Sequence, residues 1–238
     1  MKVYIKNKLE KWGVRINLKK NLWYLDSFKV IKKICDNPKP VIFDVGACDG
    51  SSIVDFIKIF PKAEIYSFEP FPDSYNTLEH FCKSFEDVKA FQIALSNRDG
   101  EMNFYVNKSN ATNSLLRPKI TSSFIDDHAI PKDCIRVLTM KIDSFILEHA
   151  IEHIDILKID VQGGEKMVFE GAENTLAANK IKFIYTEIWF IEGYVEQPLY
   201  HDVATYLANF GYYPFGIYNM HYRKDGHFLW GDAIFYLK

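Results

Sequence analysis

The chain has 238 residues, of which 48% are hydrophobic and 16% aromatic, so it can bury a substantial core and is not expected to be disordered over most of its length. Its formal net charge of −2 argues against binding nucleic acid through bulk positive charge. No apolar run approaches the roughly 20 residues that span a bilayer. The N-terminus lacks the pattern of a secretory signal, and the four cysteines are isolated, so we expect a reduced, cytoplasmic protein without a disulfide framework or a zinc site.

Positive charge is concentrated at the N-terminus. Residues 1–40 contain eleven Lys and Arg against three Asp and Glu, and their apolar residues suit one or two short helices with a basic face. We predict a basic helical extension over residues 1–38 and a main domain over residues 39–238. The extension is interpreted as a solvated helical cap; a weak contact with anionic lipid, or with a phosphorylated glycan precursor, is the alternative.

The first half of the main domain alternates short apolar runs with amphipathic segments. The predicted elements are strand 41–45, helix 51–60, strand 63–69, helix 72–85 and strand 88–95. A βαβαβ alternation of this kind implies right-handed crossovers and a parallel sheet covered by helices on both faces.

The second half continues the pattern and ends differently. Its predicted elements are strands 101–107 and 136–142, a short helix capped by Asp143, strand 154–160, one helix over 165–180, strand 181–190, helix 199–210, and strands 212–219 and 227–238. The last two strands are joined by polar, turn-prone residues and predict an antiparallel hairpin. The sequence therefore predicts a Rossmann-like α/β fold with a doubly wound, mostly parallel sheet and an antiparallel C-terminal hairpin.

A glycine-containing loop, "FDVGACDGS" (43–51), joins the first strand to the first helix. In open α/β sheets this is where ligands bind. The loop has neither the G-x-G-x-x-G pattern nor the lysine of a phosphate-binding loop. Asp44 and Asp49 flank it instead, which disfavours a pyrophosphate and suits a positively charged ligand such as S-adenosylmethionine.

Glu69 ends the second strand, 19 residues after Gly50. A carboxylate at this position can accept hydrogen bonds from both hydroxyls of an adenosine ribose. Proteins that bind NAD use the same device, so Glu69 indicates a nucleoside without identifying the cofactor.

Five segments together resemble the successive motifs of FkbM-type methyltransferases: "VIFDVGACDGSS", "IYSFEPFPDSYNTL", "QIALSNRDGEMNFYV", "LKIDVQGGEKMVFEGAENTL" and "IYTEIW". The resemblance covers about residues 40–236. It implies a class I methyltransferase fold whose last strand is antiparallel, S-adenosylmethionine as cofactor, and methyl transfer to a hydroxyl oxygen of a sugar, glycan or natural product. Cys48 departs from the family, which usually has asparagine there.

The resemblance also implies a set of cofactor-binding residues. Asp44, Gly46, Ala47 and Gly50 would hold the methionine portion, and Glu69 the ribose. Pro70 and Phe71 would flank the sugar and the adenine, whereas Ala94 and Leu95 would edge the adenine. The remaining members of the predicted set are Cys48 and Ser51 in the glycine loop, Ser114 in a loop folded over the site, and Asp160.

A neutral alcohol is a poor nucleophile, so a base must take its proton as the methyl group is transferred. A positioned base typically contributes about 10²- to 10⁴-fold to the rate. Asp160, Glu165 and Glu187 lie at or just after the ends of predicted strands, and we rank them as candidate bases in that order. Lys158 is expected to snorkel or to pair with a carboxylate and not to act in catalysis. Trp189, Tyr194 and Tyr222 are candidates for an acceptor-binding wall. No metal site is predicted, although Asp160 and Glu187 could supply oxygen ligands.

Two other functions fit parts of the sequence. An NAD-dependent oxidoreductase would have a related sheet, but the missing third glycine, the acidic loop and the terminal hairpin disfavour it. A cofactor-binding scaffold protein without catalysis is disfavoured by the three candidate bases. The leading prediction is an S-adenosylmethionine-dependent O-methyltransferase with a small-molecule or glycan acceptor.

Overall fold

The computed structural model describes residues 22–119 and 129–237. We label its ten strands β1 (Val41–Val45), β2 (Glu64–Phe68), β3 (Val88–Phe91), β4 (Ala94–Leu95), β5 (Gly100–Asn107), β6 (Pro131–Met140), β7 (Ile154–Ile159), β8 (Ile181–Trp189), β9 (Tyr212–Tyr218) and β10 (Trp230–Leu237). The helices are α1 (Ser27–Ile34), α2 (Ser51–Ile59), α3 (Pro72–Cys82), α4 (Ile142–Glu148), α5 (Glu165–Glu170), α6 (Glu173–Ala177) and α7 (Tyr200–Ala208).

Seven strands form one sheet in the order β3-β2-β1-β7-β8-β10-β9. Neighbouring strands from β3 to β8 are parallel, whereas β10 runs antiparallel to both β8 and β9. The strand order reverses between β1 and β7, which is the switch point where such sheets bind ligands. This topology confirms the predicted doubly wound sheet with an antiparallel C-terminal hairpin.

Helices cover both faces of this sheet. One apolar cluster combines residues of β1, β7 and β8 with Phe145 of α4, Phe169 of α5 and Leu207 of α7. The opposite cluster packs Ile31 of α1 and Phe56 of α2, together with residues of α3, against the other face. Because β7 is buried along its whole length, the core lies on both sides of the central strands, as expected for a parallel sheet.

The predicted strand 88–95 divides between two sheets. Its first part, β3, is an edge strand of the large sheet. Its last two residues, Ala94 and Leu95, form β4 and pair with Thr139 and Met140 of β6 in a smaller sheet of order β4-β6-β5. Strand β6 begins at Pro131, five residues before the predicted start at 136, because it pairs with the whole length of β5. The smaller sheet carries the loop 108–115 toward the carboxyl ends of the central strands.

The predicted helix 165–180 is two short helices. Gly171, between α5 and α6, lies so close to the Ser96 carbonyl that a Cβ atom there would be 2.0 Å from its oxygen. Asp143 does not cap the helix in which it lies, since that helix begins at Ile142. Its carboxylate instead accepts hydrogen bonds from the Asn174 and Thr175 backbone N–H groups at 3.0 and 2.9 Å, at the start of α6.

Only the end of the predicted N-terminal extension lies within the described residues. There α1 packs Val30 and Ile31 against the sheet. Residues 1–21 lie outside the described residues, so the domain boundary at 38 and the contact with a lipid surface stay predictions. Within residues 22–119 and 129–237, no helix has the length and apolar character that crossing a bilayer requires.

Candidate active site

A cavity of about 420 Å³ opens at the carboxyl ends of β1, β2, β7 and β8. Its walls include the glycine loop after β1, residues 68–70 after β2 and residues 159–162 after β7. Loop 108–115 contributes Asn110, Ala111, Asn113 and Leu115, and α1 contributes Phe28. The cavity therefore lies at the reversal of strand order, where the sequence predicts a ligand.

Close backbone packing fixes the glycine loop. Gly46 has a φ of +75°, and a Cβ atom there would lie 1.9 Å from the Asp160 carbonyl oxygen. The N–H groups of Gly46 and Ala47 both donate to the Phe68 carbonyl, at 3.0 and 3.1 Å. Only glycine tolerates both this backbone angle and this approach.

Glu69 is held beneath the loop by two backbone donors. Its Oε2 accepts from the Cys48 N–H at 3.0 Å and its Oε1 from the Phe71 N–H at 2.8 Å. Burial raises the pKa of Glu69 to about 7, although both hydrogen bonds act in the opposite direction. Each oxygen keeps further acceptor capacity for a ligand hydroxyl. Cys48 thus holds Glu69 through its backbone N–H, a contact that does not depend on whether the side chain is cysteine or the asparagine usual in the family.

Asp44 supports the loop from within the sheet. It is fully buried and lies 3.0 Å from the Nζ of Lys158, while Ser52 donates to its Oδ2 at 2.5 Å. The Lys158 ammonium also donates to the Gly46 carbonyl at 3.0 Å. This ion pair neutralises both charges and ties β1, β7 and the glycine loop together, so Lys158 does pair with a carboxylate.

Asp160 and Glu187 are brought together by a glutamine. The Gln162 Nε2 donates to Asp160 Oδ1 at 2.8 Å and to Glu187 Oε2 at 3.0 Å. Trp189 donates its indole N–H to the same Glu187 oxygen at 2.8 Å. Burial, reinforced by the negative charges of Asp160 and Glu165, raises the pKa of Glu187 well above its ordinary value.

Glu165 faces the protein interior. It is 1% exposed, and its Oε1 accepts hydrogen bonds from the backbone N–H groups of Val161 at 3.3 Å and Gly163 at 3.1 Å. Burial raises the pKa of Glu165 to about 7. Its geometry is that of a carboxylate holding the turn after β7.

Loop 108–115 is fastened over the cavity by hydroxyl groups. Ser114 Oγ donates to the Gln162 carbonyl at 2.8 Å and accepts from the Leu116 N–H at 2.9 Å. The Tyr194 hydroxyl donates to the Thr112 carbonyl at 2.9 Å. Tyr194 is only 2% exposed, so it braces the loop and does not offer a ring to an acceptor.

The predicted residues fall into two groups. Those lining the cavity are Gly46, Ala47, Cys48, Ser51, Glu69, Pro70, Ala94, Leu95, Asp160 and Glu187. Those described but outside the cavity lining are Asp44, Gly50, Phe71, Ser114 and Glu165. Four of the second group support cavity residues by the contacts given above: Asp44 through Lys158, Phe71 through Glu69, and Ser114 and Glu165 through residues 161–163.

The cavity residues that sequence reasoning missed include Phe28, Gln162, Tyr185 and Asp232. Asp232 pairs in register with Glu187 across β10 and β8. The available signal was an aspartate in an otherwise apolar strand, "WGDAIFYL", where a buried charge requires a partner or a function.

Acidic side chains outnumber basic ones in the cavity. Among the described lining residues, six are carboxylic acids and one, Lys158, is a base; the acids are Asp49, Asp55, Glu69, Asp160, Glu187 and Asp232. Since Lys158 is paired with Asp44, the cavity attracts cationic ligands. No group of three or more His, Cys, Asp or Glu suited to a metal ion is found in the part of the chain that the structure describes.

Comparison with known proteins gives the same family as the motifs. Residues 44–214 match the family model for the methyltransferase FkbM domain. The chain is 30% identical over 183 residues to the 2-O-methyltransferase NoeI of Sinorhizobium fredii, covering 71% of this chain and 69% of that protein. It is 27% identical over 158 residues to the methyltransferase sdnD of Sordaria araneosa, covering 56% of this chain and 61% of that protein.

A solved structure shows the same fold. The crystal structure of methyltransferase FkbM from Methylobacillus flagellatus aligns with a TM-score of 0.54 at 13% identity, over 84% of this chain. The chain spans 44% of the length of that structure. With a matching family model over most of its length and a class I methyltransferase fold, the chain belongs to the FkbM methyltransferase family.

Proposed function

We propose that this enzyme transfers a methyl group from S-adenosylmethionine to a hydroxyl oxygen of a neutral sugar or natural product. The observation that carries the proposal is the cavity at the switch point, where six acids face one neutralised lysine. S-adenosylmethionine carries a sulfonium and an ammonium group, both of which such a wall attracts. The pyrophosphate of NAD would be repelled by it.

The contacts of the glycine loop support an adenosyl ligand. The missing side chain of Gly46 lets the loop pack directly against the Asp160 carbonyl at the cavity wall. Glu69, fixed by the Cys48 and Phe71 N–H groups, presents acceptors at the end of β2, where a ribose diol would lie. Ala94 and Leu95 give this side of the cavity an apolar surface suited to a purine.

A hydroxyl acceptor is supported by the relative from S. fredii, whose name states a 2-O-methyltransferase. The acidic cavity adds a restriction, because a phosphorylated acceptor would bring negative charge toward Asp160, Glu187 and Asp232. We therefore favour an acceptor without phosphate.

Asp160 and Glu187 are the bases that the geometry favours. Gln162 occupies Asp160 Oδ1, which leaves Oδ2 for the acceptor hydroxyl, while Glu165 is turned inward to the loop after β7. When bound, S-adenosylmethionine supplies an electrophilic methyl group on sulfur. The chain aligns the acceptor in line with that group, and Asp160 accepts the hydroxyl proton.

Two measurements test the proposal. Calorimetry should show that S-adenosylhomocysteine binds and that NAD does not. Radiolabelled methyl groups should then pass from S-adenosylmethionine into neutral sugars or glycans, and Asp160→Asn should lower turnover by about 10²-fold or more while cofactor affinity is kept. The exposed Glu79, paired with Lys83 on α3, provides the control Glu79→Gln, with unchanged turnover.

Two results would contradict the proposal. NAD binding without S-adenosylhomocysteine binding would indicate an oxidoreductase. Tight cofactor binding without methyl transfer to any acceptor fraction would indicate a scaffold. Undiminished turnover of Asp160→Asn would remove Asp160 from the role of base and leave Glu187.

A further inference from the structure

We propose that Asp232 binds the α-ammonium group of the cofactor's methionine portion. This inference rests on the proposed function, because it assigns one group of S-adenosylmethionine to one side chain. Asp232 lies near the start of the antiparallel strand β10, directly opposite Glu187, and lines the cavity. It lies outside the residues 44–214 that match the family model.

The carboxylate of Asp232 is oriented before any ligand arrives. Its Oδ2 accepts from the Tyr185 hydroxyl at 2.8 Å and from the Asn219 Nδ2 at 2.7 Å. Ser27 of α1 lies 3.2 Å from the Tyr185 hydroxyl, and the Phe28 ring packs edge-on against the Tyr185 ring at 5.8 Å. With one oxygen held by two donors, Oδ1 is left for a ligand cation, and little ordering is needed on binding.

The charges around Asp232 favour a cation at this end of the cavity. Lys158 is the basic residue among the described residues that line the cavity, but its ammonium group pairs with Asp44 at 3.0 Å and donates to the Gly46 carbonyl. Asp160 lines the same cavity and adds a second acidic group there. Asp232 therefore has no cation of its own within the described residues, and a charge-assisted hydrogen bond to an ammonium group would compensate it.

The position of Asp232 matches the methionine end of the ligand and not the adenosine end. In the sheet order β2-β1-β7-β8-β10, Asp232 on β10 lies on the other side of β1 and β7 from Glu69, which follows β2, and both residues line the cavity. Glu69 and the apolar residues Ala94 and Leu95 line the opposite side, where the nucleoside would lie. An ammonium group is the cationic part of the amino acid, so its natural partner is Asp232.

The test compares two ligands with two proteins by calorimetry. One ligand is S-adenosylhomocysteine; the other is its analogue in which hydrogen replaces the α-amino group. Asp232→Asn should bind S-adenosylhomocysteine about tenfold or more weakly than the native protein. Both proteins should bind the des-amino analogue equally, because the substituted side chain would keep its shape and an acceptor oxygen for Tyr185 and Asn219.

A matched control separates a specific contact from a general charge effect. Asp55→Asn removes the same charge from the same cavity, and Asp55 is already paired with Lys58 at 2.8 Å. It should change the affinity for S-adenosylhomocysteine by less than about twofold, the small effect expected of a surface pair.

Three results would overturn the assignment. Asp232→Asn could lose affinity equally for S-adenosylhomocysteine and for the des-amino analogue, or Asp55→Asn could lose as much affinity for S-adenosylhomocysteine as Asp232→Asn does. Asp232→Asn could also keep its affinity for S-adenosylhomocysteine and raise only the KM for the acceptor. Failure of the proposed function itself would look different, since the native protein would then bind neither ligand.

Discussion

At the scale of single residues, Gly46 shows how the backbone shapes the cavity. Its φ of +75° and the 1.9 Å distance that a Cβ atom would have from the Asp160 carbonyl oxygen are two separate constraints. The first concerns the backbone angle, and the second concerns the space between β1 and β7. Comparing alanine substitutions at two glycines can distinguish the two constraints. Gly226 has a similar φ of +89°, but an added Cβ atom there would have nothing within 4 Å.

We expect Gly46→Ala to lower the free energy of unfolding by at least about 3 kcal/mol and to abolish S-adenosylhomocysteine binding, because β1 and β7 must move apart. Gly226→Ala should lower it by only about 1 kcal/mol, from backbone strain alone, and keep binding. Urea unfolding and calorimetry measure both quantities. Equal losses of unfolding free energy in the two variants would show that the close approach of Gly46 to the Asp160 carbonyl does not contribute to stability.

At the scale of elements, loop 108–115 forms one wall of the cavity and is tied to the segment after β7 and to Tyr194. Ser114 joins it to the turn after β7 through the Gln162 carbonyl, and Tyr194 joins it through the Thr112 carbonyl. The same turn positions the Gln162 amide between Asp160 and Glu187. Gln162 therefore links the loop to the candidate bases, since its backbone carbonyl binds Ser114 and its side chain binds Asp160 and Glu187.

Ser114→Ala should speed amide hydrogen exchange in residues 108–115 and increase the dissociation rate of S-adenosylhomocysteine by about two- to tenfold, since one hydrogen bond is worth roughly 1 kcal/mol. Ser109→Ala, in the same loop, is the control, because the Ser109 carbonyl and not its side chain accepts from the Thr112 hydroxyl. If both variants exchange at the native rate, the fastening role of Ser114 is wrong.

The elements also show what a sequence reveals. The apolar run "IDILKI" and the glycine loop were found by local pattern, and the structure places both at the switch point. Asp232 was missed because its neighbour Glu187 is distant in sequence and is set by the register of β10 on β8. The split of 88–95 and the capping of α6 by Asp143 likewise depend on partners from other parts of the chain. Local chemistry was predictable, whereas pairing between distant segments was not.

At the scale of the whole molecule, buried acids make stability depend on pH. Burial raises the pKa values of Glu69 and Glu165 to about 7, from a reference of 4.5. An acid with a raised folded-state pKa holds its proton more tightly when folded, so stability falls as pH rises from about 4.5 to 7 and then levels off. We therefore expect the protein to be more stable at pH 5 than at pH 8.

Glu165→Gln tests this dependence, because it keeps an acceptor for the Val161 and Gly163 N–H groups and cannot ionise. Its free energy of unfolding should fall less than that of the native protein between pH 5 and pH 8, by roughly 1–3 kcal/mol. Urea unfolding at both pH values measures the difference. Parallel losses in the two proteins would mean that Glu165 does not titrate in this window.

The excess of carboxylates in the cavity has a consequence for turnover. The methyl donor carries a positive sulfur, whereas the spent product is a neutral thioether, so an acidic wall holds the incoming molecule more tightly than the outgoing one. Product inhibition is thereby relieved by the same side chains that recruit the donor. Dissolved salt, which screens charge wherever the cavity is open to water, would weaken binding of the donor more than binding of the product and so narrow that difference.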